Sequence, residues 1–396
     1  MRVLVWQWGR RGAGPRFAVA LAESLRLVPG VEAALSLSTG AEILRGANPP
    51  RCELPFSTYE SPAGFVRRLA AAPFARPGLS AALRRLQPDF AICAMPAPLD
   101  LVFASALRHT AIPFLVVVHD ADPHPGDVFP LQMRLQRQLA RQADGLIALT
   151  GHVANRLRQQ GLAGGGRRCK PLFLASLPPF VFGPAPAPPR CHAGPFRLLS
   201  FGRLLPYKGL DLLAEALVQL GPRADLQVRV VGSGPESETL RQLRMLPGVA
   251  VENRWVPEDE VGSLLAWADG LVLSHKEASQ SGVAAAAVAA GRWVLATRVG
   301  GLVEQLQYET LAVFCDPNPL SLASALGSLL AAPPPSLQPS RDPHAAWRNV
   351  AESLIAQIES TLLPGSGGKP CRSMPSIITS RICQNRANSG SPLMRT

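Results

Sequence analysis

Lysine is nearly missing from this sequence. Only four of the 40 basic residues are lysine, at 170, 208, 276 and 369, so each one stands out from an arginine-rich background. Long apolar runs are missing too. None reaches the roughly 18 residues of a membrane-crossing helix. The first residues, Met1-Arg2-Val3-Leu4-Val5-Trp6, carry one charge and a short apolar run, too short for the h-region of a signal peptide. The expected location is the cytoplasm, with peripheral contact at the inner membrane face. The seven cysteines, at 52, 93, 169, 191, 315, 371 and 383, are scattered. No two have metal-ligand spacing, and an odd number argues against a full disulfide framework. There is no Walker A loop and no Gly-x-Gly-x-x-Gly fingerprint.

What is present reads as globular, with 47% hydrophobic and 17% charged residues. A chain of 396 residues has room for two or three domains. Charge is uneven. Residues 1–196 hold 22 basic and 11 acidic residues, residues 197–363 hold 13 and 17, and residues 364–396 hold five and none. A basic first half is consistent with an anionic partner, such as a membrane surface or a phosphorylated acceptor, and equally with an arginine-rich composition.

Short β-type runs alternate with helical patterns. Unbroken apolar strands such as Phe114-Leu115-Val116-Val117-Val118 suit a parallel sheet covered on both faces. The alternation predicts an α/β, doubly wound sheet. It spans 1–177, stops in a Pro-rich linker at 178–196, and resumes over 197–343. An amphipathic helix at 344–363 closes the fold, and 364–396 reads as a disordered tail. Two such sheets leave a cleft at the carboxyl ends of their strands, where ligands bind.

Gly202-Arg203-Leu204-Leu205-Pro206-Tyr207-Lys208-Gly209 follows the first strand of the second half. Arg203 and Lys208 can straddle a diphosphate there, one as a fork and one as a point charge. The next turn, Val231-Gly232-Ser233-Gly234-Pro235, admits close backbone approach, and Pro235 is expected to start the following helix. Glu277 is placed at the end of the fourth strand. Ser281, Gly282 and Val283 then open an alanine-rich helix whose free amides face the cleft. An acid so near an anion-binding helix end is better suited to sugar hydroxyls than to phosphate. Glu304 reads equally as a capping charge or a ligand. In the first half, Gly9-Arg10-Arg11-Gly12-Ala13-Gly14 makes a turn that accommodates phosphate or sugar. His119 ends a buried strand, pointing at the cleft as a substrate-contacting or proton-handling group. His124, Asp120, Asp122 and Asp127 follow, but Pro123 and Pro125 break any metal-ligand spacing.

Together, Gly202-Arg203…Lys208-Gly209, Val231-Gly232-x-Gly234-Pro235, Glu277, and Gly300-Gly301-x-x-Glu304 resemble the retaining glycosyltransferases of family four, up to about residue 363. The resemblance implies the GT-B fold, two Rossmann-like domains facing each other across a cleft. It implies that Arg203 and Lys208 bind the diphosphate of a nucleotide-sugar donor and that Glu277 holds the transferred sugar. Ser281, Gly282 and Val283 would meet the sugar and distal phosphate, with Gly12 and Gly14 forming the donor loop of the first domain. Gly232 would line the donor site, and His119 would contact the sugar near its reacting carbon. The family usually has a second acid eight residues after the first. Here that position is Ala285, followed by Ala286, and the Ser-Gln-Ser-Gly-Val run resembles a sub-branch that also lacks it. Either Glu304 or backbone would then hold the ribose, or donor binding would be weak.

The expected activity is hexosyl transfer with retention to a hydroxyl acceptor, a lipid-linked or growing envelope glycan. A retaining glycosidase needs two carboxylates flanking the bond, and no such pair is evident. No metal or other cofactor is expected, and no nucleic acid partner. A nucleotide-sugar epimerase of the same architecture and a non-catalytic sugar-nucleotide binder are the alternatives.

Overall fold

A computed structural model describes residues 1–46, 48–126, 130–164, 170–184, 186–332 and 342–362. The expected tail at 364–396, the last residue of the expected closing helix and Asp127 lie outside the described residues.

Two six-stranded sheets carry the fold. The first contains β1 (Arg2–Gln7), β2 (Glu32–Leu37), β3 (Phe90–Cys93), β4 (Phe114–Val118), β5 (Gly145–Ala148) and β6 (Leu172–Leu174), in the order β2-β1-β3-β4-β5-β6. The second contains β7 (Phe196–Phe201), β8 (Leu226–Gly232), β9 (Val249–Asn253), β10 (Gly270–Leu273), β11 (Trp293–Thr297) and β12 (Ala312–Cys315), in the order β12-β11-β10-β7-β8-β9. Every pairing is parallel. Parallel neighbours need crossovers, usually helical. The first sheet has α1 (Ala13–Arg26), α2 (Pro62–Ala70), α3 (Ala72–Leu86), α4 (Asp100–His109), α5 (Pro130–Gln142) and α6 (Gly151–Gln159). The second has α7 (Leu210–Leu220), α8 (Glu238–Met245), α9 (Glu258–Trp267), α10 (Gly282–Ala289), α11 (Gly300–Leu306) and α12 (Pro319–Ala331), and α13 (Pro343–Leu362) ends the described chain. Both sheets lie within one compact unit, Met1–Ala356.

The strands read as parallel from sequence are buried along their whole length, Phe114–Val118 and Trp293–Thr297 among them, because helices cover both faces. Between Leu177 and Gly194 the described residues form no helix or strand. Part of this segment lies on the thin alanine helix: the Phe180 amide donates to Ala285 O at 3.1 Å, an approach that small side chains allow.

One turn differs from expectation. Pro235 does not start a helix; α8 begins three residues later, where the Ser237 hydroxyl accepts from the Leu240 amide at 3.3 Å. The hydroxyl satisfies an orphan helix amide, which proline at the earlier position cannot do.

In each sheet the strand order reverses once, between β1 and β3 and between β7 and β10. Crevices open outside the carboxyl ends of strands at such points. The loops after β7 and β10 hold Arg203, Lys208 and Glu277.

Candidate active site

The loops after β7 and β10 are pinned to each other. Lys276 N donates to Tyr207 O at 2.8 Å, and the Ser274 hydroxyl donates to Lys208 O at 3.0 Å. Gly209, at φ +64, passes so close that a Cβ there would sit 1.9 Å from Ser274 O. Only glycine fits both that conformation and that contact.

This arrangement gathers two cations on one ring. Tyr207 is 5% exposed. Arg203 donates to its hydroxyl at 2.9 Å and lies 5.4 Å from the ring centre, with the Lys208 ammonium at 5.2 Å. Lys208 Nζ is 2.8 Å from His275 Nε2. Burial, then the nearby Arg203 charge, push the Lys208 pKa down to about 7, against a smaller opposing pull from Asp120. Burial and the Lys208 charge hold His275 well below the ordinary histidine range. A neutral imidazole accepting from the ammonium accounts for the contact.

The N-terminus of α10 stands beside Gly202, at the start of the loop after β7. The Ser281 hydroxyl accepts from Ala284 N at 3.2 Å, and Ser281 N donates to Gln305 Oε1 at 2.9 Å. The amides of Gly282 and Val283 are left without an acceptor among the described residues. A Cβ at Gly202 would touch Val283 at 3.5 Å, and one at Gly282 would touch Ala13 at 3.9 Å. The first turns of α1 and α10 therefore face each other from opposite sheets.

Glu277 does not end a strand. β10 stops at Leu273, and Glu277 lies in the loop beyond with its side chain 48% exposed. His124 Nδ1 holds its Oε1 at 2.9 Å. His124 Nε2 is 3.0 Å from Asp120 Oδ1, and its ring stacks on Tyr207 at 4.3 Å. Burial works against a charged imidazole here. The hydrogen bonds and charges of Asp120 and Glu277 outweigh it and raise the His124 pKa. Burial would likewise raise Asp120, but His124, His119 and Ser279 hold its carboxyl low. The loop after β4 therefore pairs its acid and imidazole with one another and with Glu277. Among the described residues no group of three is arranged to hold a metal.

His119 sits at the cleft but has neither ring nitrogen to spare. Nε2 is 2.8 Å from Ala94 O, and Nδ1 is 3.3 Å from Gln280 Nε2. Burial lowers its pKa, so the ring is a neutral strut between the sheets and is not poised to move a proton. Gly14 makes room for a side chain of its own lobe, since a Cβ there would lie 2.7 Å from Gln7 Nε2. Gly12, at φ +81, caps α1 and faces Trp255. Gly232 is a packing glycine, with a built Cβ 1.7 Å from Gly202 O.

Glu304 caps a helix of the other sheet. Its carboxylate accepts from Gly151 N at 2.6 Å and His152 N at 2.8 Å, the first amides of α6. Thr150 completes that cap and donates to Ser279 O at 3.1 Å.

Sequence reasoning did not assign Tyr207, His275, Asp120 or His124 to the site. Tyr207 had a signal: it is one of three tyrosines and lies between the two cations in sequence.

Comparison with known proteins gives family and fold matches. A family model described as "Glycosyltransferase Family 4" matches residues 43–165, and one described as "Glycosyl transferases group 1" matches 195–332. The chain is 32% identical over 188 residues to D-inositol 3-phosphate glycosyltransferase of Corynebacterium efficiens, covering 43% of this chain and 44% of that protein. The chain thus spans less than half the length of this curated relative. In structure it is similar to Anabaena HepE in complex with UDP and glucose, with a TM-score of 0.63, 16% identity, and coverage of 91% and 98%. It is also similar to UDP-GlcNAc 2-epimerase from Neisseria meningitidis bound to UDP-GlcNAc, with a TM-score of 0.57, 8% identity, and coverage of 91% and 100%. The fold is GT-B, and the family matches support a glycosyltransferase.

Proposed function

We propose that this chain is a retaining glycosyltransferase that moves a hexose from a nucleotide-sugar donor to a hydroxyl acceptor. The observation that carries this reading is the pair Arg203 and Lys208, held side by side on Tyr207 next to two unpaired helix amides. An ammonium with its pKa pushed to about 7 lacks a close counter-charge, and a diphosphate supplies one.

Arg203 grips the phosphates as a fork and Lys208 as a point charge. The hollow behind them measures about 10 Å³, room for one water, so the phosphates lie on the outer side of the two cations. The amides of Gly282 and Val283 meet the distal phosphate and the sugar. Glu277 receives sugar hydroxyls on Oε2, because His124 occupies Oε1. His119 steadies Gln280 at the edge of this site. As the sugar–phosphate bond breaks, these cations and amides stabilise the charge growing on the leaving group. The departing phosphate oxygen takes the acceptor proton on the same face, which gives retention. The shortfall of acids at 285 and 286 leaves the ribose to backbone groups.

Structural neighbours in complex with UDP or UDP-glucose make uridine diphosphate sugars the first donors to try. The acceptor is a lipid-linked or growing envelope glycan, approached from the basic first half in the cytoplasm. The test is release of nucleoside diphosphate from a panel of donors, with and without glycan acceptors. Release that needs an acceptor supports transfer. Conversion of the donor alone indicates an epimerase, and stabilisation of the fold by nucleotide without turnover indicates a binder. No response to any nucleotide defeats all three readings.

A further inference from the structure

One shoulder of the first lobe has a charge and an exposure that the site does not use. Between Glu60 and Asp89 the chain holds five arginines, 67, 68, 76, 84 and 85, and no acid. α2 and α3 fill this stretch and meet at Ala71. Their inner side is apolar: Leu79 and Leu83 are buried, and Phe65 and Ala75 pack on the same core. Their outer side is apolar as well, which a purely solvated helix pair would not need. Val66 is 64% exposed, Leu69 53% and Phe74 84%. Val66 and Leu69 share a helix face at i, i+3 spacing, and Phe74 follows in the first turn of α3.

Other exposed large apolar residues, such as Met245 and Leu320, stand singly on separate elements and are ordinary. Three within nine residues on an all-basic shoulder form a patch. Arg68 is tied to Thr58 O and the Ser57 hydroxyl. The side chains of Arg67, Arg76, Arg84 and Arg85 have no hydrogen-bond or ion-pair partner among the described residues. Gly64, Arg67 and Arg68 also border a polar hollow of about 250 Å³ that includes Ser57 and Tyr59, which is room for a headgroup.

We propose that the α2–α3 shoulder docks on an anionic lipid surface. Val66, Leu69 and Phe74 enter the boundary between headgroups and acyl chains, and the unpaired arginines meet lipid phosphates. No described helix is long and apolar enough to cross a membrane, so the contact is one of surface insertion. A second copy of the chain is a poor occupant, because its own arginine shoulder would face this one. A nucleic acid would meet the arginines and leave the three apolar side chains unused. This goes beyond the transfer reaction, and it brings the cleft to any acceptor anchored in that surface.

The test is co-sedimentation of the full chain with phosphatidylcholine vesicles, with and without phosphatidylglycerol. The expected result is binding to the anionic vesicles that weakens with salt, and much weaker binding to the neutral ones. Phe74→Asp, and separately the double change Arg67→Glu with Arg76→Glu, should each weaken binding about tenfold or more. Their melting temperatures should match the parent, since the altered side chains are exposed. Three results would overturn the assignment. One is no binding to anionic vesicles at low salt. Another is binding untouched by both variants, which places the contact elsewhere, for example on the five basic residues after 363. The third is a dimer, or an oligonucleotide complex, that these variants abolish while vesicle binding is absent.

Discussion

His124 on the first lobe lies 2.9 Å from the Glu277 carboxylate on the second, with Asp120 3.0 Å from its other nitrogen. The acid assigned to the sugar is therefore aimed by a residue of the opposite lobe, and its position depends on how the lobes meet. An imidazolium between two carboxylates donates to both, whereas a neutral ring donates to only one.

The first prediction concerns pH. The His124 pKa is raised from 6.5 in the folded chain. The stabilisation is fully present below the unfolded value and is lost as pH rises through the folded one. Melting curves from about pH 6 to about pH 8 should show the parent losing more stability than His124→Gln. Equal losses would remove the charged clasp.

The second prediction separates function from stability at Lys208. Lys208→Met keeps the packing and removes a dehydrated cation beside Arg203. The melting temperature should hold or rise, because the site carries strain that serves binding. Transfer should fall at least tenfold, about 1.4 kcal/mol of barrier. An unchanged rate in both Lys208→Met and Arg203→Ala would reject the diphosphate site.

The third prediction follows from the same ammonium. With its pKa near 7, Lys208 is mostly neutral at about pH 8 in the free protein. A bound diphosphate restores the charge, so uridine diphosphate binding should take up a proton and weaken as pH climbs past 7. Calorimetry in buffers of different ionisation enthalpy measures that uptake. Proton release, or none, would contradict the assignment.

The fourth prediction contrasts two glycines. Gly209 combines φ +64 with a built Cβ 1.9 Å from Ser274 O, while Gly30 has φ +77 and nothing within 4 Å. Gly209→Ala must move backbone and should cost at least about 2 kcal/mol. Gly30→Ala should cost only the conformational strain, about 1–2 kcal/mol. Urea unfolding of the two gives the comparison, and equal costs would mean that the loop after β7 is not held against Ser274.

The fifth prediction concerns Glu304. Because its carboxylate caps α6, Glu304→Ala should destabilise by about 0.5–2 kcal/mol and leave nucleotide affinity nearly unchanged. A variant that melts like the parent yet binds nucleotide poorly would return Glu304 to the ribose.

The strand framework was legible because the signal is local. Phe114–Val118 forms the buried parallel strand that its unbroken apolar run predicts. The helices over 62–86 were not legible, because prolines at 62, 73 and 77 interrupt the pattern, although two of them stand in first turns where proline is tolerated. Arg203, Lys208 and Glu277 could be singled out from their places after strands. The partners of Glu277 and Glu304 could not, since they lie 152 or 153 residues away along the chain.

By itself, the sequence determined that strands and helices alternate and that cations and small polar residues follow particular strands. Those are properties of a few neighbouring residues, set by periodicity and backbone preference. Only the tertiary structure decided that Tyr207 would carry both cations, that His124 would aim Glu277, and that Glu304 would cap a helix of the other lobe. Such pairings arise when distant loops share one crevice, and the burial that creates them also sets the charge of each group.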